Sequence, residues 1–303
     1  MYTKYSYIKR IPKKIPKKRK YSKLIIFAAS LAVIIFTYII FYPKTKQAVN
    51  FSSIPTPSPT PTPKKIVNIP SGKLSEQQIN NLLNSQISQL PGSYSILIKD
   101  LKKNKTYSVN PTDSIGSASI YKLALMYKTF DLINKNQLAY TDEVSTGATV
   151  QESLTQMITV SDNDSALALA NLVGWQQTQD SLEAANITGF QLTQETPTVT
   201  ASAVAALLEK IYYGKAISKM ASEKMLDLLL AQQINNKIPK YFPTDIKIAH
   251  KTGELDSVSS DAGIIFGKKS DYIFVFLSDT PAPADATENI ALLSKTMFDA
   301  LER

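Results

Sequence analysis

Three short groups of polar residues could do chemistry in this sequence: Ser119-Ile120-Tyr121-Lys122, Ser161-Asp162-Asn163 and Lys251-Thr252-Gly253. A serine followed three residues later by a lysine can be a nucleophile with its base. If Ser119 begins a helix, Lys122 lies on the same face one turn later. A lysine in a first turn opposes the helix dipole, and a capping box would place Glu or Gln there. That positive field, with burial, would lower its pKa toward the neutral amine a general base needs. The plainer reading makes Ser117 or Ser119 a cap and lets Lys122 reach out to water. The same spacing at Ser6 and Lys9, in a basic tail, shows how easily it arises. Asp162 or Asn163 could simply cap the apolar helix that follows. Gly253 could mark a bulge, with Lys251 a charge on the strand face. Taken together, in this order and each at a helix start or on a strand, the three groups make coincidence the weaker explanation.

The residues that are missing narrow the chemistry. There is no cysteine, which excludes disulfides, thiolate catalysis and Cys-based metal sites. The single histidine, His250, rules out a multi-His metal site, and no metal or other cofactor is expected. A hydrolase built from this inventory would use Ser or Thr with Lys as base. Because His250 precedes Lys251 in an alternating strand, its side chain should point to the opposite face, which reads as a structural role.

The elements that must position these groups follow from periodicity. "SEQQINNLLNSQISQL" reads as a helix capped by Ser75, and "YSILIKDL" with "KTYSV" as a hairpin. "SIYKLALMYKTFDLINK" reads as one long, central helix. Shorter helices follow in "SLTQMITV", "DSALALANLVG", "QTQDSLEAAN", "TASAVAALLEKIYYG" and "ASEKMLDLLLAQQ". "KIAHKTGEL", "SSDAGIIFG" and "DYIFVFLSD" read as three strands, and "ATENIALLSKTMFDALER" as a closing helix. Two strands, a block of helices, three strands and a helix do not alternate as βαβ units. The expected fold is α+β: an antiparallel sheet of about five strands in a three-layer αβα arrangement, with an all-helical subdomain.

Ahead of this domain, at 71–303, three segments differ in composition. Residues 1–23 hold ten Lys or Arg and no acid. Subtracting that +10 from the chain's net +9 leaves −1 for the other 280 residues, which does not suit a nucleic-acid binder. Leu24 to Tyr42 is a run of 19 uncharged residues, about 28 Å long as a helix and close to the hydrocarbon thickness. It reads as a transmembrane anchor. A cleaved signal peptide would have a shorter apolar region and a small-residue cleavage site, whereas Pro43-Lys44-Thr45-Lys46 follows here. The basic tail would then lie in the cytoplasm and the rest outside a bacterial cell membrane. Residues 43–70, with "IPTPSPTPTP", read as a semi-rigid Pro/Thr-rich linker.

With these motifs in place, the sequence resembles the penicillin-recognising active-site serine enzymes, closest to the class A β-lactamase-like branch. The resemblance covers roughly Ser75 to Arg303. "AHKTGELDSVSSDAGIIFG" looks like that family's third strand, turn and fourth strand, and "TPTVTASAVAALLEKI" like the helix after its omega loop. The resemblance implies a β-lactamase/transpeptidase-like fold and a role for each motif residue. Ser119 would attack the carbonyl of a β-lactam or an acyl-D-Ala-D-Ala peptide, and Lys122 would accept its proton. Ser161 would relay a proton toward the leaving nitrogen, near Lys251. Asn163 would hold the substrate's side-chain amide. Lys251 and Thr252 would bind its carboxylate, and Gly253 would let substrate lie close to the strand. Backbone N–H groups of Ser119 and Glu254 would form the oxyanion hole, where one donor contributes ~3–4 kcal/mol.

The sequence also departs from that pattern. No Glu-x-x-Leu-Asn lies between Asn163 and Thr200, and Glu195 is the only acid near the place of the deacylating glutamate. The arginine that often assists carboxylate binding is absent from "DSVSSDAG". Ser119 and Ser161 stand 42 positions apart, a short spacing for the family that implies trimmed helices and a more open site. Three activities remain in view. The first is a membrane-anchored β-lactamase-like serine hydrolase. The second is a penicillin-binding DD-peptidase acting on peptidoglycan stem peptides. The third is a non-catalytic module holding a cell-wall peptide, disfavoured by the intact motif set.

Overall fold

The computed structural model describes residues 72–303 of the chain. The basic tail, the proposed anchor at 24–42 and the linker lie outside the described residues. Among the described residues no helix is long and apolar enough to cross a membrane.

The first helix, α1 (Glu76–Ile87), starts as its sequence predicts. The Ser75 hydroxyl accepts from the Gln78 amide and the Gln78 side chain returns the bond to the Ser75 amide. A hairpin of β1 (Ser93–Asp100) and β2 (Lys105–Val109) follows, with Asn104 in the left-handed region at its turn. A short strand, β3 (Ile115–Gly116), leads to a 3-10 turn at Ala118–Tyr121 and to α2 (Lys122–Asn134). The helical block continues with α3 (Val150–Thr159), α4 (Asn163–Val173) and α5 (Trp175–Ala184). Strands β4 (Phe190–Gln191) and β5 (Thr198–Val199) join β3 in a small second sheet in which β5 pairs with both of the others. Helices α6 (Ala201–Tyr212) and α7 (Lys219–Leu230) precede a second 3-10 turn at Ile238–Tyr241. Strands β6 (Lys247–Glu254), β7 (Ser259–Phe266) and β8 (Asp271–Asp279), then α8 (Pro283–Leu301), complete the chain.

The main sheet is wholly antiparallel in the order β2-β1-β8-β7-β6, which leaves β6 at an edge. Alternation along the central strands sends apolar side chains to both faces. Ile96, Ile98, Phe274 and Phe276 pack on one side with Leu83 of α1 and Met297 of α8. Leu97, Val275, Leu277 and Ile264 pack on the other with α2 and α6. The result is the expected three-layer α+β arrangement, with α3 to α5 extending one side.

Two expectations are corrected. The long helix from Ser119 is broken: residues 118–121 form a 3-10 turn and the α-helix begins only at Lys122. The strands of the small sheet, two residues each, carry no alternation long enough to read. In addition, α3 begins earlier than its apolar pattern suggests, because Thr149 and Glu152 form a capping box.

Candidate active site

The Ser119 turn is pinned from two sides. The Ser117 amide donates to Pro197 O at 2.8 Å, which ties the turn to the loop before β5. On the other side lies β6. A Cβ on Gly253 would stand 3.2 Å from Ser117 O, from Ala118 Cβ and from Ile120 Cγ1. The missing side chain therefore admits the Ser119 turn. Strand β6 pairs with β7 without a break, so no bulge occurs there. Ala118 is held at φ 43°, an uncommon conformation for a residue with a Cβ, and such strain concentrates where the surroundings fix a functional side chain. Ser119 is half-buried, and its hydroxyl makes no hydrogen bond among the described residues.

Lys122 follows directly and is fully buried, which removes the reading that it reaches into water. Its Nζ donates to Ser161 O at 2.6 Å and to Asn163 Oδ1 at 2.7 Å, and lies 3.3 Å from Ser161 Oγ. Burial pushes the ammonium down to about 8, against the attraction of Asp162. Asp162 is the cap of α4, its carboxylate accepting from the Ser165 amide at 2.7 Å. Capping by Asp162 leaves the Asn163 side chain for Lys122. Ser161 sits at φ 62°, the second non-glycine residue of the site in the left-handed region.

Lys251 enters from β6 and is also fully buried. Its Nζ donates to Ser161 Oγ at 2.9 Å and to Thr252 O at 2.8 Å. Burial, then repulsion from Lys122, push it down to about 7. The Ser161 hydroxyl thus stands between two lysines of lowered proton affinity. Leu255 and Val258 exchange backbone hydrogen bonds, so by alternation the N–H of Glu254 points away from β7, toward the open edge of the sheet. The Ser119 amide lies in the first turn of its 3-10 segment, where N–H groups have no acceptor within the helix. Both amides expected to hold an oxyanion are therefore unspent by the sheet and the helix.

Thr252 is buried and its side chain faces away from that of Lys251, as neighbours in a strand must. The Glu254 side chain is exposed and receives Lys237 Nζ at 2.9 Å. Lys237 was missed by the sequence reading. It is the third fully buried lysine of this region, and its position in the irregular stretch before the second 3-10 turn gives no periodic signal. His250, as expected, lies on the other face from Lys251. Its Nδ1 donates to Asp261 Oδ1 at 2.9 Å, and Nε2 meets the Asn235 side-chain amide at 3.0 Å. Glu195 lies apart from this network, exposed in the loop between β4 and β5, with no hydrogen bond or ion pair among the described residues.

The geometry is thus a serine on a strained turn, a buried lysine one turn on, and a hydroxyl shared by two lysines. Known proteins with the same fold were found by comparison. A β-lactamase from Chitinophaga pinensis is 21% identical over 73% of this chain and 98% of its own, with a TM-score of 0.69. The extended-spectrum β-lactamase TLA-3 is 17% identical over 76% of this chain and 100% of its own, with a TM-score of 0.71. A variant of PBP-A, in an acyl-enzyme complex with penicillin G, is 19% identical over 75% of this chain and 95% of its own, with a TM-score of 0.69. No curated protein matches the chain. Residues 74–301 match the Beta-lactamase enzyme family, and the chain belongs to that family, as a serine hydrolase of the β-lactamase kind.

Proposed function

We propose that this chain is a penicillin-reactive serine hydrolase in which Ser119 Oγ is acylated by the β-lactam carbonyl and the acyl-enzyme is released slowly. The state of Lys122 carries the reading. A neutral amine has two N–H bonds and a lone pair. Ser161 O and Asn163 Oδ1 accept the two N–H bonds, and the lone pair, with Ser161 Oγ 3.3 Å from the nitrogen, would turn to the Ser119 proton. As Ser119 Oγ bonds to the carbonyl carbon, its proton passes to Lys122 Nζ. The oxyanion is met by the amides of Ser119 and Glu254. Ser161 Oγ, within reach of both lysines, gives its proton to the leaving nitrogen as the C–N bond breaks, and is reprotonated from Lys122. Lys251, while cationic, holds the substrate carboxylate, and Asn163 receives the substrate's side-chain amide. PBP-A, in its acyl-enzyme complex with penicillin G, supports the choice of ligand.

A second reading, a DD-peptidase acting on a peptidoglycan stem peptide, is favoured by the solvated state of Glu195. With no carboxylate held in the network, β-lactam esters would persist. In either reading the apolar run 24–42 would anchor the domain on the outer face of a bacterial membrane. Protease added to intact cells should then leave residues 1–23 uncut, and cleavage there would reverse the topology. The activity is tested by mixing the protein with a fluorescent penicillin and a chromogenic cephalosporin. A covalent adduct with slow colour development is expected. Fast turnover would make it an efficient β-lactamase, and no adduct would remove the assignment of Ser119.

A further inference from the structure

The proton relay at the centre of the site joins two separate parts of the fold. Ser161 lies in the turn between α3 and α4, and Lys251 lies on β6. Their side chains meet at 2.9 Å. The irregular residues 232–237, which follow α7 and lead to the second 3-10 turn, are fastened to both parts and work as a strap. Toward Ser161 they close the end of α3, where a helix leaves its last carbonyls without partners. Gln232 Nε2 donates to Ile158 O at 2.8 Å, and the Gln233 amide donates to Thr159 O at 2.9 Å. Gln232 is buried, and its Oε1 accepts from the amides of Gln233 and Ile234, each at 3.0 Å. Its side chain is therefore tied in both directions, the nitrogen to the helix and the oxygen to its own loop. Toward Lys251, the Asn235 side chain meets Nε2 of His250, the residue before Lys251, at 3.0 Å, and Lys237 Nζ reaches Glu254 at 2.9 Å.

We propose that Gln232 is a positioning residue for the proton relay: by fastening the end of α3 to the strap, it fixes the Ser161 hydroxyl against Lys251. This deepens the reading given under Proposed function and rests on it. The need for such a hold is visible in the backbone. Ser161 follows the last residue of α3 by two positions and sits at φ 62°, a conformation that a residue with a Cβ keeps only where its surroundings impose it. The Asp162 amide turns back to Gln156 O at 3.1 Å, so the turn carrying Ser161 is built directly on the last turn of α3. A shift of that last turn moves Ser161 with it, while Lys251 stays with the sheet. Displacing a reacting group by about 1 Å can cost roughly 10²-fold in rate.

The test separates the relay from the rest of acylation. In penicillin the leaving nitrogen must take a proton from Ser161 as the C–N bond breaks. In an acyclic thioester the sulfur leaves as a thiolate and needs none. In full-length protein in detergent, Gln232→Met fills the buried site and removes the side-chain hydrogen bonds. Its rate of penicillin acylation should fall about tenfold or more, and its thioester rate should stay within about twofold of wild type. Equal losses on both substrates are what a merely structural role would give, and they overturn the proposal, as does an unchanged penicillin rate. Hydrogen exchange, read by mass spectrometry, is independent of activity. The variant should exchange about tenfold faster than wild type across residues 156–163 and no faster across β8. Unchanged exchange at 156–163, or faster exchange in both, overturns the proposal. Where Gln232→Met does not fold, Gln232→Asn gives the same reading, since its side chain is too short to reach Ile158 O and the loop amides together. A wild-type chain that forms no penicillin adduct overturns the functional reading instead. There, or with a wild type inert to the thioester, the exchange measurement decides the role of Gln232.

Discussion

Two regions near the candidate active site, the Ser119 network and the loop between β4 and β5, are built differently. Around the Ser119 hydroxyl, itself without a hydrogen bond among the described residues, the neighbouring groups are tied: Lys122 to Ser161 and Asn163, Ser161 to Lys251, the turn itself to Pro197 and against Gly253. The loop between β4 and β5 belongs to the same neighbourhood through Pro197, yet its one carboxylate, Glu195, is exposed and unbonded. Forming an acyl-enzyme needs a nucleophile, a base and a proton relay, and the first region has the side chains for all three. Releasing it needs a water held by a base, and the second region has no held base. Under the proposed function, the ester would form faster than it is hydrolysed.

The largest effect should come from breaking the first region at its centre. Ser119→Ala should abolish the penicillin adduct, read as fluorescence on a denaturing gel and as intact mass. Next is Lys122→Met, which keeps the stem packed in its buried site and removes the amine. Its acylation rate should fall by about 10²–10⁴-fold, the usual contribution of a positioned base, with the adduct still forming at long times. If Lys122→Met were as fast as wild type, the base would have to be sought elsewhere.

A smaller, pH-dependent effect follows from the lysines. In the proposed mechanism Lys122 acts when neutral, above about 8, and Lys251 when charged, below about 7. Acylation should therefore peak between pH ~7 and ~8 and fall about tenfold per pH unit on either side. Folding stability depends on pH in the same sense as for a carboxylate whose proton affinity falls on folding. Both lysines bind protons more weakly in the folded chain than their ordinary 10.5. The unfolded chain therefore takes up more protons over the window from about 7 to 10.5, and stability rises with pH across it. Tyrosines turn the trend above about 10, because Tyr212, pushed up to about 12 by burial and Asp271, keeps its proton in the folded chain. Thermal unfolding should show a rising midpoint from pH 7 to 9, flattened in Lys251→Met.

Much of this was legible in the sequence, for identifiable reasons. The main sheet and its helices are long and periodic, so pattern alone placed them. Ser119, Lys122, Ser161, Asn163 and Lys251 sit in compact motifs at element ends. What could not be read depends on close approach in space. The packing of Gly253 on the Ser119 turn could not be read because that segment lies 133–136 positions earlier. The break at Ala118–Tyr121 is forced by the same packing and not by helix propensity. Lys237 lies where no motif marks it, and only its burial and its bond to Glu254 relate it to the site.

The smallest effect concerns the region that was not built. Glu195 was the one acid the sequence offered as a deacylation base. A base must hold its water at a fixed place, and that requires a carboxylate kept in position by packing or hydrogen bonds. Glu195 has neither, and a carboxylate moving in solvent gives a bound ester little that bulk water does not. Glu195→Gln should leave the lifetime of the penicillin adduct within about twofold of wild type, followed by mass spectrometry after excess antibiotic is removed. A lifetime lengthened by about 10²-fold or more would mean that the loop folds over the ester and brings Glu195 to it. The two regions would then be equals in the acylated state, and the contrast between them a property of the free protein alone.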